Sequence, residues 1–473
     1  MVGGARNLPA RLVVGGGIAS AVVVGAAFAR LGDLTLVVAA LLGLAFVVLV
    51  VNDMVGAIAV FIVLSFVEQI PGAGSGVTAI KGAGAVITLA WALGLLRRQW
   101  TLQPLLNRQL AFSLSCVALV FWAVDSELWA ADAHVALSSA SRLAQGVLLA
   151  FVIVTCLQDK RALRIAMASF VVGATASALL GLGGVAGASA SATSTTATDV
   201  RVGGGLGDPN YLAAVIVPAL FCTLALHTTT RRRALRVLWV VVGAVLVITL
   251  LRTESRGGFV GLAASAAVAL VVGGQLRRRI LASFGGVILA AAVYFVAFAS
   301  SSSLHRFIHA GGGSGRSELW GIALNVFRAH PLAGVGLGNF SVVEPTYAAE
   351  TSANLTKPYQ ELDLGEVVHN TYLHLLAELG VVGLAVFLCL VVAALVLGWR
   401  ACRLLTRAGE QEAEILARGL VVGAVGMLAA FFFLTAQYEK QLWIVLALLA
   451  VAHVVAQRSQ MGARPRDRVA AGG

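Results

Sequence analysis

The feature that most constrains this chain is the recurrence of apolar runs from one end of the sequence to the other. A transmembrane α-helix needs about 20 consecutive apolar residues to cross the hydrocarbon core of a bilayer. Hydrophobic residues make up 59% of the 473 residues and charged residues only 12%, whereas soluble proteins carry roughly twice that charged fraction. A soluble core has no volume for so many apolar side chains. The sequence therefore predicts an all-α fold, a polytopic transmembrane helix bundle of about 12–14 spans.

We place the spans from the apolar runs and from the polar residues between them. The run Leu12 to Ala29 is similar to a signal peptide, but further spans follow at once and no A-x-A cleavage site stands out, so we interpret it as the first span. Only Asn52 and Asp53 join the second and third spans, which predicts a tight hairpin. The predicted spans are 11–29, 34–51, 54–68, 78–96, 109–124, 142–157, 165–184, 210–227, 236–251, 257–274, 280–299, 371–398, 416–434 and 442–456.

Basic residues sit in short clusters between the apolar runs, which argues against a nucleic-acid partner despite the net charge of +12. With both termini in the cytoplasm, 23 of the 34 Lys and Arg fall on cytoplasmic segments. The positive-inside rule favours that orientation. We therefore predict a multi-pass protein of the cytoplasmic membrane. The five cysteines lie in or beside apolar runs, so no disulfide framework is indicated in the polar segments.

Two polar segments fall on the extracytoplasmic side. Residues 187–199 are rich in Ala, Ser and Thr and predict a flexible loop. The other, Ser300 to His369, is the one long loop, and we expect it to contain short helices and the working part of the protein. The predicted organisation is transmembrane helices 1–11 in 1–299, an extracytoplasmic catalytic loop in 300–369, transmembrane helices 12–14 in 370–456, and a cytoplasmic tail in 457–473.

Within the loop, Glu318 to Ala329 has the pattern of a helix that ends before His330-Pro331. Its apolar residues Trp320, Ala323, Leu324 and Phe327 are spaced i, i+3, i+4, i+7. Such a stripe predicts a short helix that lies on the membrane surface or packs under the loop.

Arg256 begins a span in the segment Thr253-Glu-Ser-Arg-Gly-Gly258. Ser255 is placed to cap that helix, and the two glycines would let backbone approach a ligand. Free amides at a helix start beside a guanidinium form a site for an anion such as phosphate. The alternative, an arginine that reaches up to lipid headgroups, has equal weight from the residues alone.

Arg316 and His369 stand at the two ends of the loop. Arg316 follows the flexible segment Gly311 to Gly315, and its alternative role is a solvated charge at a helix end. His369 is the interfacial histidine best placed for proton transfer near neutral pH, and its alternative is an imidazole bonded to backbone. Asn370 and His374 are four residues apart and share a helix face. His369 and His374 are five apart, which gives no convincing spacing for a metal.

Two further segments carry candidate polar groups. Asp208-Pro-Asn-Tyr211 begins a span, and Asp208 and Asn210 suit sugar hydroxyls as well as they suit a turn and a helix cap. The run Gly334-Val-Gly-Leu-Gly338 follows a helix and not a strand, which predicts a tight turn instead of a nucleotide site. The sequence contains no Walker motif, so no cofactor or nucleotide is predicted.

Taken in order, these segments resemble the O-antigen ligase and O-antigen polymerase superfamily. The resemblance covers roughly 200 to 400 and rests on motifs in chain order. They are Asp208 to Ala213, Thr253 to Gly258, Gly315 to Trp320 running into Pro331 to Phe340, and His369 to Gly383.

The resemblance implies a metal-independent, inverting enzyme of the cell envelope. Such an enzyme moves a glycan from a polyprenyl-diphosphate carrier, such as undecaprenyl diphosphate, to a glycan or glycolipid acceptor at the outer face of the membrane. It implies that Arg256 and Arg316 hold the diphosphate and that His369 is the base for the acceptor hydroxyl. Residues expected to bind substrate beside them are Ser255, Asp208, Asn210, Asn370, Trp320 and Asn339.

The residues alone leave two other functions open. A transporter or flippase for a lipid-linked glycan predicts ionisable residues deep in the spans, and only Glu378 and Glu439 are candidates for that. A non-catalytic scaffold of polysaccharide assembly predicts that Arg256, Arg316 and His369 tolerate substitution. Ligase and polymerase share donor chemistry, so the residues do not separate them.

Overall fold

A computed structural model describes residues 34–68, 79–185, 188–189, 201–297, 316–351 and 367–470. The described chain is an all-α polytopic helix bundle, with one short antiparallel ladder between β1 (Ala188–Ser189) and β2 (Arg201–Val202). The predicted first span and the segment Gly311 to Gly315 lie outside the described residues, as does most of 187–199.

The described residues form the following helices, in chain order. They are α1 (Leu34–Asn52), α2 (Met54–Leu64), α3 (Ala79–Leu96), α4 (Leu110–Asp125), α5 (Ala133–Cys156), α6 (Lys160–Leu182), α7 (Pro209–Thr229), α8 (Arg233–Thr253), α9 (Arg256–Val272), α10 (Arg277–Ala297), α11 (Arg316–Ala329), α12 (Phe340–Thr351), α13 (Thr371–Arg407), α14 (Gln411–Ala430) and α15 (Lys440–Ala470).

Every predicted span from 34–51 onward coincides with one of these helices. Within the described residues, eight helices are long and apolar enough to cross a membrane, and four more are shorter apolar helices. The protein is therefore a multi-pass membrane protein, while the total span count stays a prediction.

The largest shift in a helix start is at α5, which begins at Ala133 and not near 142. The Asp132 side chain caps it by accepting a 3.1 Å bond from the Val135 amide. Because that cap satisfies the helix start, the helix continues through polar residues that the hydropathy pattern had excluded.

Ion pairs mark the two ends of the bundle. At one end Arg164 meets Glu412 at 2.6 Å and Arg418 meets Glu414 at 2.8 Å. We call this end the basic face. At the other end Lys440 meets Glu68 at 2.5 Å, and this end also carries Arg256 and His369. We call it the site face.

The long helix α13 is broken at Gly380, whose φ of 65° and ψ of −169° are not helical. The residues before α12 pack into the break: the Val335 amide donates to the Ala377 carbonyl (3.2 Å) and the Gly336 amide to the Glu378 carbonyl (2.9 Å). In return the Val381 amide donates to the Pro331 carbonyl at 2.9 Å. The loop therefore replaces the backbone hydrogen bonds that the helix gives up.

The glycines of 334–338 are explained by this packing. All three have positive φ, and a Cβ on Gly334 would lie 2.3 Å from the Glu378 backbone. A Cβ on Gly338 would lie 2.2 Å from the Ser139 hydroxyl. The predicted tight turn is confirmed, and its glycines serve close backbone contact.

Helix α11 is present and ends before His330-Pro331, as its sequence predicts. The predicted stripe is wrong in its register, because Leu324 is 39% exposed and Trp320 is only half-buried. The buried stripe is instead Leu319, Ile322, Ala323 and Val326. It has the same spacing but is turned toward α12 and α13, so the helix packs under the loop.

Candidate functional site

Arg256 is the first residue of α9 and is exposed on the site face. The buried Ser255 hydroxyl accepts a 3.3 Å bond from the Gly258 amide and caps the helix. The remaining amides of the first turn and the helix dipole favour an anion there. Ser255 thus acts first as a cap, and a contact with substrate stays a prediction for it.

The glycines after Arg256 serve packing instead of a ligand, which corrects the sequence-based expectation. Both are buried, and a Cβ on Gly257 would lie 3.1 Å from the Phe433 side chain. A Cβ on Gly258 would lie 2.8 Å from the Cβ of Ala213. The small residues therefore let the start of α9 press against α7 and against the turn that follows α14.

Arg201 connects the start of α7 to the turn that carries Arg256. Its Nη2 donates to the Asn210 Oδ1 at 3.0 Å, and its Nε donates to the Thr253 carbonyl at 2.9 Å. The Asp208 carboxylate caps α7 by accepting bonds from the Asn210 and Tyr211 amides at 2.6 and 2.8 Å. Asp208 and Asn210 therefore lie beside the Arg256 turn. Sequence reasoning missed Arg201, which lies in a segment without a motif.

Arg316 is the first residue of α11 and is half-buried. One turn later, Trp320 donates its indole N–H to the Val368 carbonyl at 3.0 Å. The Trp320 ring also meets the Phe432 ring edge-on, with centroids 5.8 Å apart. The hydrogen bond holds the helix that begins with Arg316 against Val368, the residue before His369, and the ring contact holds it against Phe432.

His369 has a φ of +53°, in the left-handed region that non-glycine residues seldom adopt. Asn370, next in the chain, is buried and caps α13 by accepting 3.0 Å bonds from the Tyr372 and Leu373 amides. Thr371 donates to the Leu434 carbonyl at 2.7 Å. His369 is thus half-buried between two anchored neighbours, and strained backbone of this kind is concentrated at functional sites.

The segment Phe431 to Ala436, which we call the aromatic turn, contacts a chain neighbour of each of the three predicted catalytic residues. Gly257 packs on Phe433, Trp320 packs on Phe432, and Thr371 bonds to Leu434 and Ala436. Arg256, Arg316 and His369 each lie within four residues of one of these contacts. Hydropathy assigns most of this turn to the predicted span 416–434, so no sequence signal pointed to a turn there.

An apolar groove of about 450 Å³ leads away from the aromatic turn between α9, α13 and α14. Its lining includes Val260, Tyr372, Leu428, Phe432 and Phe433 and contains no charged residue. The groove therefore joins the polar site to the lipid-facing side of the bundle.

Asn339 does not face the site. It is fully buried, its Oδ1 accepts a 2.6 Å bond from the Asp132 amide, and its Nδ2 donates to the Asp132 carbonyl at 3.1 Å. This side chain clamps the loop to the start of α5.

His374 is also turned inward, and it does not act together with Asn370. Its Nε2 lies 3.0 Å from the Oε1 of Glu378, and both side chains are buried. The same Glu378 oxygen accepts a 3.1 Å bond from the Phe340 amide. The pair joins α13 to the start of α12.

A second cavity on the site face, of about 480 Å³, lies between the loop and the end of α4. Its lining includes Trp129, His330 and Tyr347, and the His330 Nε2 lies 3.0 Å from the Tyr347 hydroxyl. Aromatic faces beside hydrogen-bonding groups suit a ligand with both apolar and polar surfaces, and no motif had pointed to these residues.

The sequence matches no curated protein. Residues 240–388 match the model of the family described as O-Antigen ligase, and this segment contains Arg256, Arg316 and His369. The family indicates an enzyme of glycan transfer that uses lipid-linked glycans in a membrane environment. The match over this segment supports membership of the chain in the O-antigen ligase superfamily.

Proposed function

We propose that this protein transfers a glycan from a polyprenyl-diphosphate carrier to an acceptor hydroxyl at the outer face of the cytoplasmic membrane. The observation that supports the proposal is that the aromatic turn contacts the two helices that begin with Arg256 and Arg316 and also the start of α13, next to His369. The positive-inside bias supports an outward-facing site and cytoplasmic termini.

Arg256 and Arg316 would hold the diphosphate of the donor. A guanidinium binds phosphate through two parallel hydrogen bonds, and each of these arginines stands at the positive end of a helix dipole. Negative charge grows on the diphosphate as its bond to the sugar breaks. Fixed cations at that position stabilise the transition state more than the ground state, which is what accelerates the reaction.

His369 would act as the base. The acceptor oxygen forms a bond to the anomeric carbon, the bond from that carbon to the diphosphate oxygen breaks with its electron pair, and the hydroxyl proton passes to the imidazole. Attack from the side opposite the leaving group inverts the anomeric centre. The diphosphate is already a good leaving group, so we propose that neither a nucleotide nor a metal is needed.

The apolar groove beside Phe432 and Phe433 would receive the polyprenyl chain of the donor. It begins at the aromatic turn and faces the lipid. A carrier would therefore keep its chain in the membrane while its diphosphate reaches the site.

The test is analysis of surface glycan in a strain that lacks the chromosomal gene and carries plasmid variants. Arg256→Ala, Arg316→Ala and His369→Ala should each abolish transfer while the protein remains in the membrane. Arg328→Ala, at the other end of α11, where its Nη1 bonds to the Asn325 Oδ1 at 2.9 Å, is the matched control and should retain transfer.

The glycan pattern also separates the possible outcomes. Loss of long chains with single units retained means a polymerase, and full-length polymer left on the carrier means a ligase. Normal surface glycan in the His369→Ala strain would refute the catalytic assignment. Loss of transfer on chelation of divalent metals by EDTA would refute metal independence.

A further inference from the structure

A second groove reaches the site face on the other side of the bundle, between α3 and α5. It has a volume of about 550 Å³. Its walls are apolar and small, and they include Ala85, Leu89, Ala92, Leu149 and Val152. Its lining contains no Asp or Glu among the residues that the structure describes.

The charges of this groove are concentrated at one end. Lys81 lies at the start of α3, Arg142 lies on α5, and Lys440 begins α15. Lys440 is neutralised by Glu68 at 2.5 Å. Lys81 and Arg142 are exposed, and neither forms an ion pair with any residue that the structure describes.

Arg142 is held in place without a carboxylate. Its guanidinium carbon lies 4.3 Å from the centroid of the Tyr438 ring, and its Nη2 lies 3.4 Å from the Ser139 hydroxyl. A guanidinium stacked on an aromatic ring keeps its N–H groups available to an anion. The arrangement therefore presents a fixed cation, without a direct ion pair to any described residue, at the mouth of an apolar groove.

The dimensions fit a lipid of one leaflet. Lys81 and Ala92, which mark the groove on α3, are eleven residues apart, or about 17 Å along the helix axis. That is roughly half of a hydrocarbon core of about 30 Å. The groove thus runs from the site face toward the middle of the membrane.

Taken with the proposed function, on which this inference rests, we propose that the groove binds a second polyprenyl diphosphate, the lipid that carries the acceptor glycan. Two cations, neither in a direct ion pair with a described residue, match a diphosphate better than the single charge or zwitterion of a phospholipid headgroup. The grooves for donor and acceptor would then lie on opposite sides of residues 431–440, which contact both. The enzyme would join two lipid-linked glycans.

Native mass spectrometry of the full-length protein in detergent, with farnesyl diphosphate as the probe, tests the stoichiometry. The wild type should bind two molecules. Lys81→Gln with Arg142→Gln should abolish one of them, and so should Ala85→Trp, which fills the groove from an exposed position on α3. Leu93→Trp adds the same ring to the same helix outside the groove and should leave both.

Arg256→Ala separates this proposal from the proposed function, because it should remove the other bound molecule and leave the one in the α3–α5 groove. If the groove variants keep two molecules while Arg256→Ala removes one, the acceptor site is refuted and the donor site stands. A single molecule bound to the wild type, or equal displacement of the second molecule by phosphatidylglycerol, would also overturn the proposal.

Discussion

The Trp320 indole N–H donates a 3.0 Å hydrogen bond to the carbonyl oxygen of Val368, the residue immediately before His369. This bond connects the helix that begins with Arg316 to the turn that holds the histidine. Trp320 is a positioning residue in this structure, and its predicted contact with substrate stays a prediction.

Trp320→Phe keeps an aromatic ring near Phe432 and removes only the donor. A hydrogen bond contributes about 0.5–1.5 kcal/mol, so we expect the transfer rate to fall about three- to tenfold if that energy holds His369 in place. The control is Trp122→Phe, which removes an equivalent 3.0 Å bond to the Leu379 carbonyl away from the aromatic turn. Equal rate losses in both variants, measured on membranes with matched protein levels, would contradict the positioning role.

The Asn339 clamp gives a prediction about stability. Asn339→Ala removes both hydrogen bonds to the Asp132 backbone, and an amide left without its partner costs about 1–3 kcal/mol. We expect a lower Tm for the protein in detergent. Asn325→Ala, on α11, should change stability by less than about 0.5 kcal/mol. A Tm unchanged by Asn339→Ala would show that the clamp is dispensable.

The loop glycines give a second pair of stability variants. In Gly334→Ala the new Cβ meets the Glu378 backbone at 2.3 Å at a φ of +67°, so we expect misfolding or a large fall in Tm. Gly321→Ala, in the middle of α11, meets nothing within 4 Å and should stabilise the helix by about 0.5–1 kcal/mol. Similar Tm values for the two variants would contradict the packing of the loop into α13.

The spans were predictable from the sequence, whereas the register of α11 and the aromatic turn were not. Hydropathy located every described span from α1 onward, because burial in lipid requires long apolar runs. The register of α11 was predicted wrongly because Leu319, Ile322 and Val326 form an equally periodic stripe, and only the position of α12 and α13 decides which stripe is covered. The aromatic turn gave no signal, since its apolar residues continue the pattern of α14.

In the candidate site, too, some features were predictable from the sequence and others only from the structure. Arg256, Arg316 and His369 were named from motifs, and each is followed within four residues of sequence by a residue that contacts the aromatic turn. Asn339 belongs to the same run of motif residues, yet its amide is used by Asp132, more than 200 positions earlier. A motif marks which residues matter, but partners so distant in sequence decide whether the role is catalytic or structural.

The topology is tested by cysteine labelling in intact cells. Leu128→Cys is on the site face at a position 84% exposed, so an impermeant maleimide should label it from outside. Gln99→Cys follows α3 on the basic face and should react only after permeabilisation. The native Cys389 is also exposed and should be replaced by serine in both proteins. The reverse labelling pattern would invert the proposed orientation.

Glu439 predicts a dependence of stability on pH. Burial raises the pKa of this carboxyl above its usual value near 4.5, against the opposing effect of Lys440. The neutral form is therefore favoured in the folded protein. The stability that it contributes is present at low pH and is lost as the pH rises through the raised pKa. Glu439→Gln should flatten the plot of Tm against pH, whereas Glu127→Gln on the same face should follow the wild type.

The break at Gly380 has a consequence for biogenesis. When α13 enters the bilayer, the backbone groups around the break have no partner within their own helix, and lipid supplies none. In the proposed orientation their partners lie in a segment that crosses the membrane and then folds back, and the Leu379 carbonyl accepts its bond from the indole of Trp122 on α4. Insertion of this helix is therefore incomplete until the loop has docked. A quality-control protease that recognises exposed backbone in the membrane would find its substrate in any chain whose loop fails to return.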